Sequence, residues 1–257
     1  MKQVYGSLLI AAGVFLASFT PPSNTARKGD PEVLVAAAAD LKFAMDSLVK
    51  VFAADNNGAQ IKVVYGSSGN FFQQIANGAP FDLFFSADLA YPQQLQQQNK
   101  TLGTVKPYAV GQIVLWSGKL DPAKKEMNSL LDPSITKIAI ANPAHAPYGK
   151  RAQESLEYYK LYDKVKDKLV LGENISQTAE FVSSGAADIG IIALSLALSP
   201  AMQEGKYWLI PAASHQPLQQ GYVLLQHARG NTRAQGFADF MDSAKARAVL
   251  KYFGLDR

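Results

Sequence analysis

The chain has 257 residues, of which 48% are hydrophobic and 18% are charged. These proportions are typical of a globular protein with a sizeable core, and they exclude a disordered or fibrous chain. The net charge of +4 comes from Lys and Arg scattered among acids, without the basic stripe that nucleic-acid binding needs, so no nucleic-acid partner is expected.

The first 26 residues have the pattern of a secretory signal peptide. Lys2 precedes an apolar run over residues 8–19, and polar sequence with two prolines follows. The run is short for a membrane-spanning helix, although an uncleaved anchor is the alternative. Because the chain also lacks cysteine, neither a disulfide nor a lipid-bearing cysteine is expected. We therefore predict a signal peptide over residues 1–26 and a free periplasmic protein.

Strand and helix patterns alternate along the rest of the chain. The first half predicts strands at residues 32–36, 61–65 and 81–85, and helices that begin at Asp40, after Gly69 and at Tyr91. The second half predicts strands at 113–116, 137–141, 189–192 and 222–226, an extended segment at 169–171, and helices at 151–159, 177–182 and 232–253. Such alternation indicates mostly parallel sheets flanked by helices.

Two such series indicate two α/β lobes. We expect the chain to cross between them near residues 107–112 and 217–222. The first lobe would then hold residues 27–108 and 218–257, and the second would hold residues 109–217.

Sequence signatures of enzymes and metal sites are missing. There is no phosphate-binding Gly-x-x-x-x-Gly-Lys loop and no His-Glu-x-x-His, and His145, His215 and His227 lack metal-ligand spacing. The turn at residues 66–69 does not have the Gly-x-Ser-x-Gly spacing of a nucleophile elbow. No catalytic residue, metal site or cofactor is predicted, and a secreted serine hydrolase using Ser68 is a remote alternative.

Three turns rich in small residues lie between a strand and a helix, at residues 37–40, 66–69 and 142–149. The first N–H groups of a helix have no partner inside it, and the helix dipole adds partial positive charge there. Such turns bind anions without Lys or Arg, and in α/β sheets they lie where ligands bind. Convergence of these turns across a cleft would make an oxyanion site.

A fully ionised tetrahedral dianion only accepts hydrogen bonds, so the groups around it should donate. Candidates are the hydroxyls of Ser67, Ser68 and Tyr148, and the backbone amides. Asp40 is predicted to be a helix N-cap, because its carboxylate would repel the anion. Ser68 as an N-cap and Tyr148 as a loop aromatic remain the alternatives for those two residues.

Five segments, taken in order, match one family. They are Val35-Ala36-Ala37-Ala38-Ala39-Asp40-Leu41-Lys42-Phe43-Ala44-Met45, Tyr65-Gly66-Ser67-Ser68-Gly69, Gly78-Ala79-Pro80-Phe81-Asp82-Leu83-Phe84-Phe85-Ser86-Ala87-Asp88, Asn142-Pro143 with His145-Ala146-Pro147-Tyr148-Gly149, and Asp188-Ile189-Gly190-Ile191. With these segments the chain resembles the periplasmic molybdate/tungstate-binding proteins of ABC transporters, over about residues 31–255.

The resemblance implies a type II-like, two-lobed binding protein that closes around an oxyanion between its lobes. The partners it implies are the permease and ATPase subunits of a transporter, with the receptor as a monomer. The contacts it implies are the backbone of Ala39 and Asp40, the N–H and hydroxyl of Ser68, Tyr148 and the backbone of Ile175, with Ser67 and Ser176 as secondary candidates.

Two positions depart from the family pattern. Asp40 stands where many members have a hydroxyl residue, and Ala193 stands where many have a tyrosine. We expect Tyr148 to supply the missing hydroxyl. An acceptor at Asp40 would suit a protonated anion, so a receptor for phosphate or phosphonate remains an alternative. A receptor for sulfate is another, because sulfate is also a tetrahedral dianion that only accepts hydrogen bonds and differs from molybdate in size.

Overall fold

The computed structural model describes residues 32–256, which belong to one compact unit. The predicted signal peptide, residues 1–26, lies outside the described residues. No helix within residues 32–256 is long and apolar enough to span a membrane.

Two five-stranded sheets are found in residues 32–256. The first, in the order β2-β1-β3-β10-β4, contains β1 (Val33–Ala38), β2 (Ile61–Gly66), β3 (Leu83–Ser86), β4 (Thr101–Gly111) and β10 (Leu218–Leu225). The second, in the order β7-β6-β8-β5-β9, contains β5 (Ile113–Ser117), β6 (Ile138–Ala141), β7 (Leu169–Gly172), β8 (Ile189–Ala193) and β9 (Lys206–Leu209).

Helices flank both sheets. They are α1 (Lys42–Asp55), α2 (Ser68–Ala76), α3 (Ala90–Gln97), α4 (Pro147–Tyr158), α5 (Tyr162–Val165), α6 (Ile175–Ser183), α7 (Leu194–Ala197), α8 (Thr232–Phe240) and α9 (Ala244–Tyr252). Helices α1–α3 and α8 pack with the first sheet and α9 packs with α1, and together they form the first lobe. Helices α4, α6 and α7 pack with the second sheet and α5 packs with α4, and together they form the second lobe.

Each sheet is mostly parallel. Four of its five described strands run in one direction, and β10 in the first sheet and β5 in the second run antiparallel to both of their neighbours. Strands β3, β6 and β8 are buried along their whole length and, apart from Ser86 at the end of β3, have no polar side chain, as expected for strands covered on both faces. The predicted two-lobed α/β fold is confirmed.

The chain crosses between the two sheets at two places. Strand β4 ends at Gly111 and β5 begins at Ile113, and the chain returns between Leu209 and Leu218. Division of the lobes at residues 108/109 and 217/218 stays a prediction.

Strands β4 and β9 are the two that the sequence patterns miss. Both lie at sheet edges, where the outer face is open to solvent and apolar periodicity is weak. Strand β4 also contains Gly103 and Pro107, which depress strand propensity. Helix α4 begins four residues before its predicted start, because Pro147 occupies its first turn, a position that proline favours.

Candidate anion-binding site

A small cavity lies where the two lobes meet. Its walls come from the carboxyl ends of β1 and β2 and from the first turns of α2, α4 and α6. The residues that line it are Ala38, Ala39, Asp40, Gly66, Ser67, Ser68, Ala87, Ala146, Pro147, Tyr148 and Ile175. None of these side chains is cationic.

Most of the residues predicted for the site meet at this cavity. Six of them line it: Ala39, Asp40, Ser67, Ser68, Tyr148 and Ile175. The seventh, Ser176, does not line the cavity. Its N–H donates to Oδ1 of Asn174, the residue that caps α6, at 3.0 Å.

The helix caps leave the first N–H groups of α2 and α6 for a ligand. Ser67 caps α2 and accepts the N–H of Asn70 at 3.4 Å. Asn174 caps α6 and accepts the N–H groups of Ser176 and Gln177. The N–H groups of Ser68 and Ile175 precede those that the caps satisfy, and the first N–H groups of a helix have no partner inside it. Both residues line the cavity, so both N–H groups are available there.

Ser68 is fully buried, and its hydroxyl is a candidate donor. Its Oγ accepts the N–H of Ala87 at 3.0 Å. A serine hydroxyl both accepts and donates, so this bond turns the lone pairs toward Ala87 and leaves the proton for another acceptor. Ser67, and not Ser68, is the cap of α2.

Asp40 is not a helix cap, and that prediction is wrong. Residues 39–41 form a 3₁₀ turn before α1, so Asp40 lies inside the turn instead of preceding a helix. Its carboxylate is buried, and Oδ2 accepts from the hydroxyl of Tyr148 at 3.1 Å and from Nε2 of Gln220 at 2.8 Å. Oδ1 has no partner among the described residues. Burial raises the pKa of Asp40 to about 7, although the bonds from Gln220 and Tyr148 oppose the shift.

Tyr148 lies in the first turn of α4, and its hydroxyl also contacts Nε2 of Gln220 at 3.0 Å. Burial raises the pKa of this hydroxyl well above its usual value, so it remains protonated and able to donate. Ala193, at the end of β8, is buried and supplies no hydroxyl. Two residues later, Ser195 donates its hydroxyl to the backbone oxygen of Asp40 at 2.8 Å.

Sequence reasoning missed Gln220, Ser195 and His145. Gln220 is fully buried in β10, but it follows the exposed Gln219 and precedes Gly221, so no local signal in the sequence marks it as a site residue. The other two residues follow a strand and lie beside the cavity residues only after folding.

Several hydrogen bonds and ion pairs join the lobes around the cavity. The Gly69 N–H donates to the His145 carbonyl at 3.0 Å, and Ser67 Oγ lies 2.9 Å from His145 Nδ1. Further pairs are Asn70–Glu173 at 2.7 Å, Lys42–Glu180 at 3.5 Å and Asp88–Arg151 at 3.7 Å. The structure therefore shows the cleft closed.

Within residues 32–256 no cluster of three or more His, Asp or Glu side chains could hold a metal ion. The remote alternative of a hydrolase requires a base beside Ser68. The histidine beside the cavity, His145, lies against Ser67, while the Ser68 Oγ accepts the Ala87 N–H.

Comparison with known proteins places the chain among solute receptors. Residues 33–256 match the family model described as bacterial extracellular solute-binding protein. The chain is 35% identical over 225 residues to the molybdate-binding protein ModA of Azotobacter vinelandii, which covers 87% of this chain and 89% of that relative. It is 32% identical to the molybdate-binding protein ModA of Rhodobacter capsulatus, with 87% of each chain covered.

Solved structures of binding proteins are also similar to this chain. The periplasmic molybdate-binding protein of A. vinelandii superposes with a TM-score of 0.82 at 32% identity, covering 88% of this chain and 99% of that one. The sulfate-binding protein SubI of Mycobacterium tuberculosis has a TM-score of 0.71 at 15% identity, covering 87% and 86%, which shows a shared fold alone.

Proposed function

The chain belongs to the family of bacterial extracellular solute-binding proteins, and from that premise we propose that it binds a tetrahedral oxyanion, molybdate or tungstate, for an ABC-type uptake transporter. The observation that carries the proposal is the cavity at which the first turns of α2, α4 and α6 and the 3₁₀ turn at residues 39–41 converge. The molybdate-binding relatives agree with it.

Neutral donors suit this ligand. Backbone N–H groups of Ala39, Asp40, Ser68 and Ile175, with the hydroxyls of Ser68 and Tyr148, would contact its oxygens. A hydrogen bond to a charged group contributes roughly 1.5–3 kcal/mol, and helix dipoles add to the attraction. About five such bonds are enough for submicromolar binding, at about −8 kcal/mol or better after closure costs.

Closure around the ligand links binding to transport. The contacts of Gly69, Ser67 and Asn70 with the second lobe form only when the cleft is shut. A transporter would recognise this closed, loaded form in the periplasm. The receptor acts as a monomer, without a cofactor and without catalysis, and its partners are the membrane permease and its ATPase.

A second candidate is a phosphate or phosphonate receptor. The observation that favours it is Asp40 Oδ1, a buried acceptor without a partner beside the cavity. An ionised Asp40 could accept the proton that phosphate keeps at neutral pH. Sulfate, which has no proton to offer, would instead be discriminated from molybdate by cavity size.

Calorimetric titration of the protein without residues 1–26 tests these assignments. Molybdate, tungstate, sulfate and phosphate are titrated separately. We expect one-to-one binding of molybdate and tungstate, with sulfate at least ~100-fold weaker, which corresponds to ~2.7 kcal/mol. Tighter binding of sulfate or phosphate would replace the named ligand, and no binding of any of the four would refute the oxyanion function.

A further inference from the structure

A carboxylate beside an anion cavity calls for a physical reason. Asp40 lines the cavity and is about 1% exposed, so solvent screens its charge poorly. An ionised Asp40 would repel a dianion held by the neighbouring N–H groups. Electrostatic repulsion from Asp40 would therefore weaken anion binding at this site unless the carboxylate is neutralised.

The groups that face Asp40 come from each element packed against it. They are the Tyr148 hydroxyl on α4, the Gln220 amide on β10, the Tyr108 hydroxyl on β4 and the Ser195 hydroxyl at the start of α7, which bonds the Asp40 backbone oxygen. The charged side chains of Lys42 on α1 and Glu180 on α6 form an ion pair with each other. No Lys, Arg or His is a hydrogen-bond or ion-pair partner of Asp40 within residues 32–256. The carboxylate has no cation to balance its charge there.

Counting protons shows what an ionised Asp40 does to Tyr148. The tyrosine has one hydroxyl proton, and it donates that proton to Asp40 Oδ2 at 3.1 Å. Gln220 Nε2 reaches both oxygens, at 2.8 Å from Asp40 Oδ2 and 3.0 Å from the Tyr148 hydroxyl. While Asp40 is ionised, Tyr148 has no proton left for a ligand.

We propose that oxyanion binding is coupled to the uptake of one proton by Asp40, and that this proton makes Tyr148 a hydrogen-bond donor to the ligand. The proton comes from solvent and forms an O–H bond on Oδ2, converting the carboxylate to a neutral acid. Oδ2–H then donates to the Tyr148 oxygen, and the Tyr148 O–H turns to an oxygen of the anion. No covalent bond to the ligand forms or breaks, and the proton returns to solvent when the cleft opens.

The burial of Asp40 brings this protonation into the neutral range. Burial raises its pKa to about 7, and a bound dianion raises the pKa further because it disfavours a second negative charge nearby. Above about pH 7 the free protein must take up the proton as it binds. The apparent affinity then weakens by about tenfold for each further pH unit.

The inference rests on the proposed function, and molybdate is the probe. Titrations near pH 8 in two buffers of different ionisation enthalpy count the protons taken up per molybdate bound. We expect about one proton for the wild type, and none for Asp40→Asn, whose affinity becomes the same at about pH 6 and pH 8.5.

Asp46→Asn is the matched control. Asp46 also accepts from a tyrosine hydroxyl, that of Tyr65, but it lies on α1 outside the cavity lining. We expect this variant to take up the same proton as the wild type and to bind molybdate equally well.

Infrared difference spectroscopy of the wild type supplies a reading that does not depend on a variant folding. Molybdate added near pH 8 should produce the C=O stretch of a protonated carboxylic acid. Molybdate binding with no proton uptake and no such band would overturn the inference and leave the proposed function intact. Absence of molybdate binding at every pH would instead refute the proposed function itself.

Discussion

At the residue scale, Ser68 is the side chain whose geometry best fits a ligand donor. Its Oγ already accepts the Ala87 N–H, so its proton is free for an oxygen of the ligand. We expect Ser68→Ala to weaken molybdate binding by roughly 10- to 100-fold, the loss of one hydrogen bond to a charged group. Calorimetry measures it, with Ser47→Ala as control, since Ser47 only bonds the Phe43 carbonyl on α1. Equal losses in both variants would contradict the assignment.

Asp40 should also make the stability of the unliganded protein depend on pH. The folded state holds the Asp40 proton up to about pH 7, whereas the unfolded chain releases it near 3.8. The free energy of unfolding of the wild type therefore falls as pH rises through this range, and Asp40→Asn lacks that fall. The free energy of unfolding of Asp40→Asn minus that of the wild type should therefore be larger near pH 8 than at pH 4. We expect this difference to grow by up to about 4 kcal/mol, at 1.4 kcal/mol per pKa unit.

Urea unfolding of both proteins at several pH values measures this difference. Other titrating groups are shared and cancel in the comparison. A difference that stays constant from about pH 4 to pH 8 would show that Asp40 does not keep its proton in the folded state.

The sequence could predict which residues reach the cavity but not how they pair. Ala39, Ser68 and Ile175 stand at strand-to-helix turns, a local property that the residue order reveals. The bond between Asp40 and Gln220 joins positions 180 residues apart, on elements that meet only after both sheets have formed. No local pattern carries that information.

At the scale of elements, the N-terminus of α6 depends on its cap. Asn174 accepts two N–H groups of the first turn and thereby orients the Ile175 N–H. We expect Asn174→Ala to lower stability by about 1 kcal/mol and to weaken molybdate binding as well. Asn231 caps α8 with one such bond, to the N–H of Ala234.

Asn231→Ala is therefore the control for the cap. It should cost similar stability but leave molybdate affinity unchanged, because α8 does not reach the cavity. Thermal unfolding and calorimetry on both variants separate the two effects. An affinity loss in Asn231→Ala matching that in Asn174→Ala would show that reduced stability alone weakens binding.

The buried strands were predictable because their apolar runs are continuous, as in β8. The edge strand β9 was not, since it has only four residues and these are mostly exposed. A strand at an edge is specified by its neighbour across the sheet, here β5, more than by its own residues.

At the scale of the whole molecule, closure relies on a glycine. A Cβ on Gly69 would lie 2.6 Å from the His145 carbonyl oxygen and 3.1 Å from its Cα, both of them backbone atoms of the other lobe. Alanine favours a helix by about 1 kcal/mol over glycine, so Gly69→Ala should not weaken α2. We expect it to hinder closure and to lower molybdate affinity by at least about tenfold.

Gly236→Ala in α8 is the control for that substitution. There the added Cβ would make only an ordinary contact, 3.7 Å from Phe52. Small-angle scattering with molybdate should show compaction in Gly236→Ala and the wild type but not in Gly69→Ala. Full compaction and unchanged affinity in Gly69→Ala would contradict a closure that brings α2 against His145.

The two-lobed plan follows from the alternation of strands and helices, and the sequence resemblance adds the cleft between the lobes. The closed arrangement could not be predicted, because pairs such as Asn70–Glu173 join residues more than a hundred positions apart. They depend on how two finished lobes meet.

A crystal structure of the protein grown with molybdate tests the central claim most directly. Anomalous scattering from molybdenum would locate the ligand without ambiguity. We expect one peak in the cavity, with the oxygens within hydrogen-bond distance of Ser68, Tyr148 and the Ile175 N–H. A peak elsewhere, or an empty cavity in a closed molecule, would contradict the claim that the converging helix N-termini form the oxyanion site.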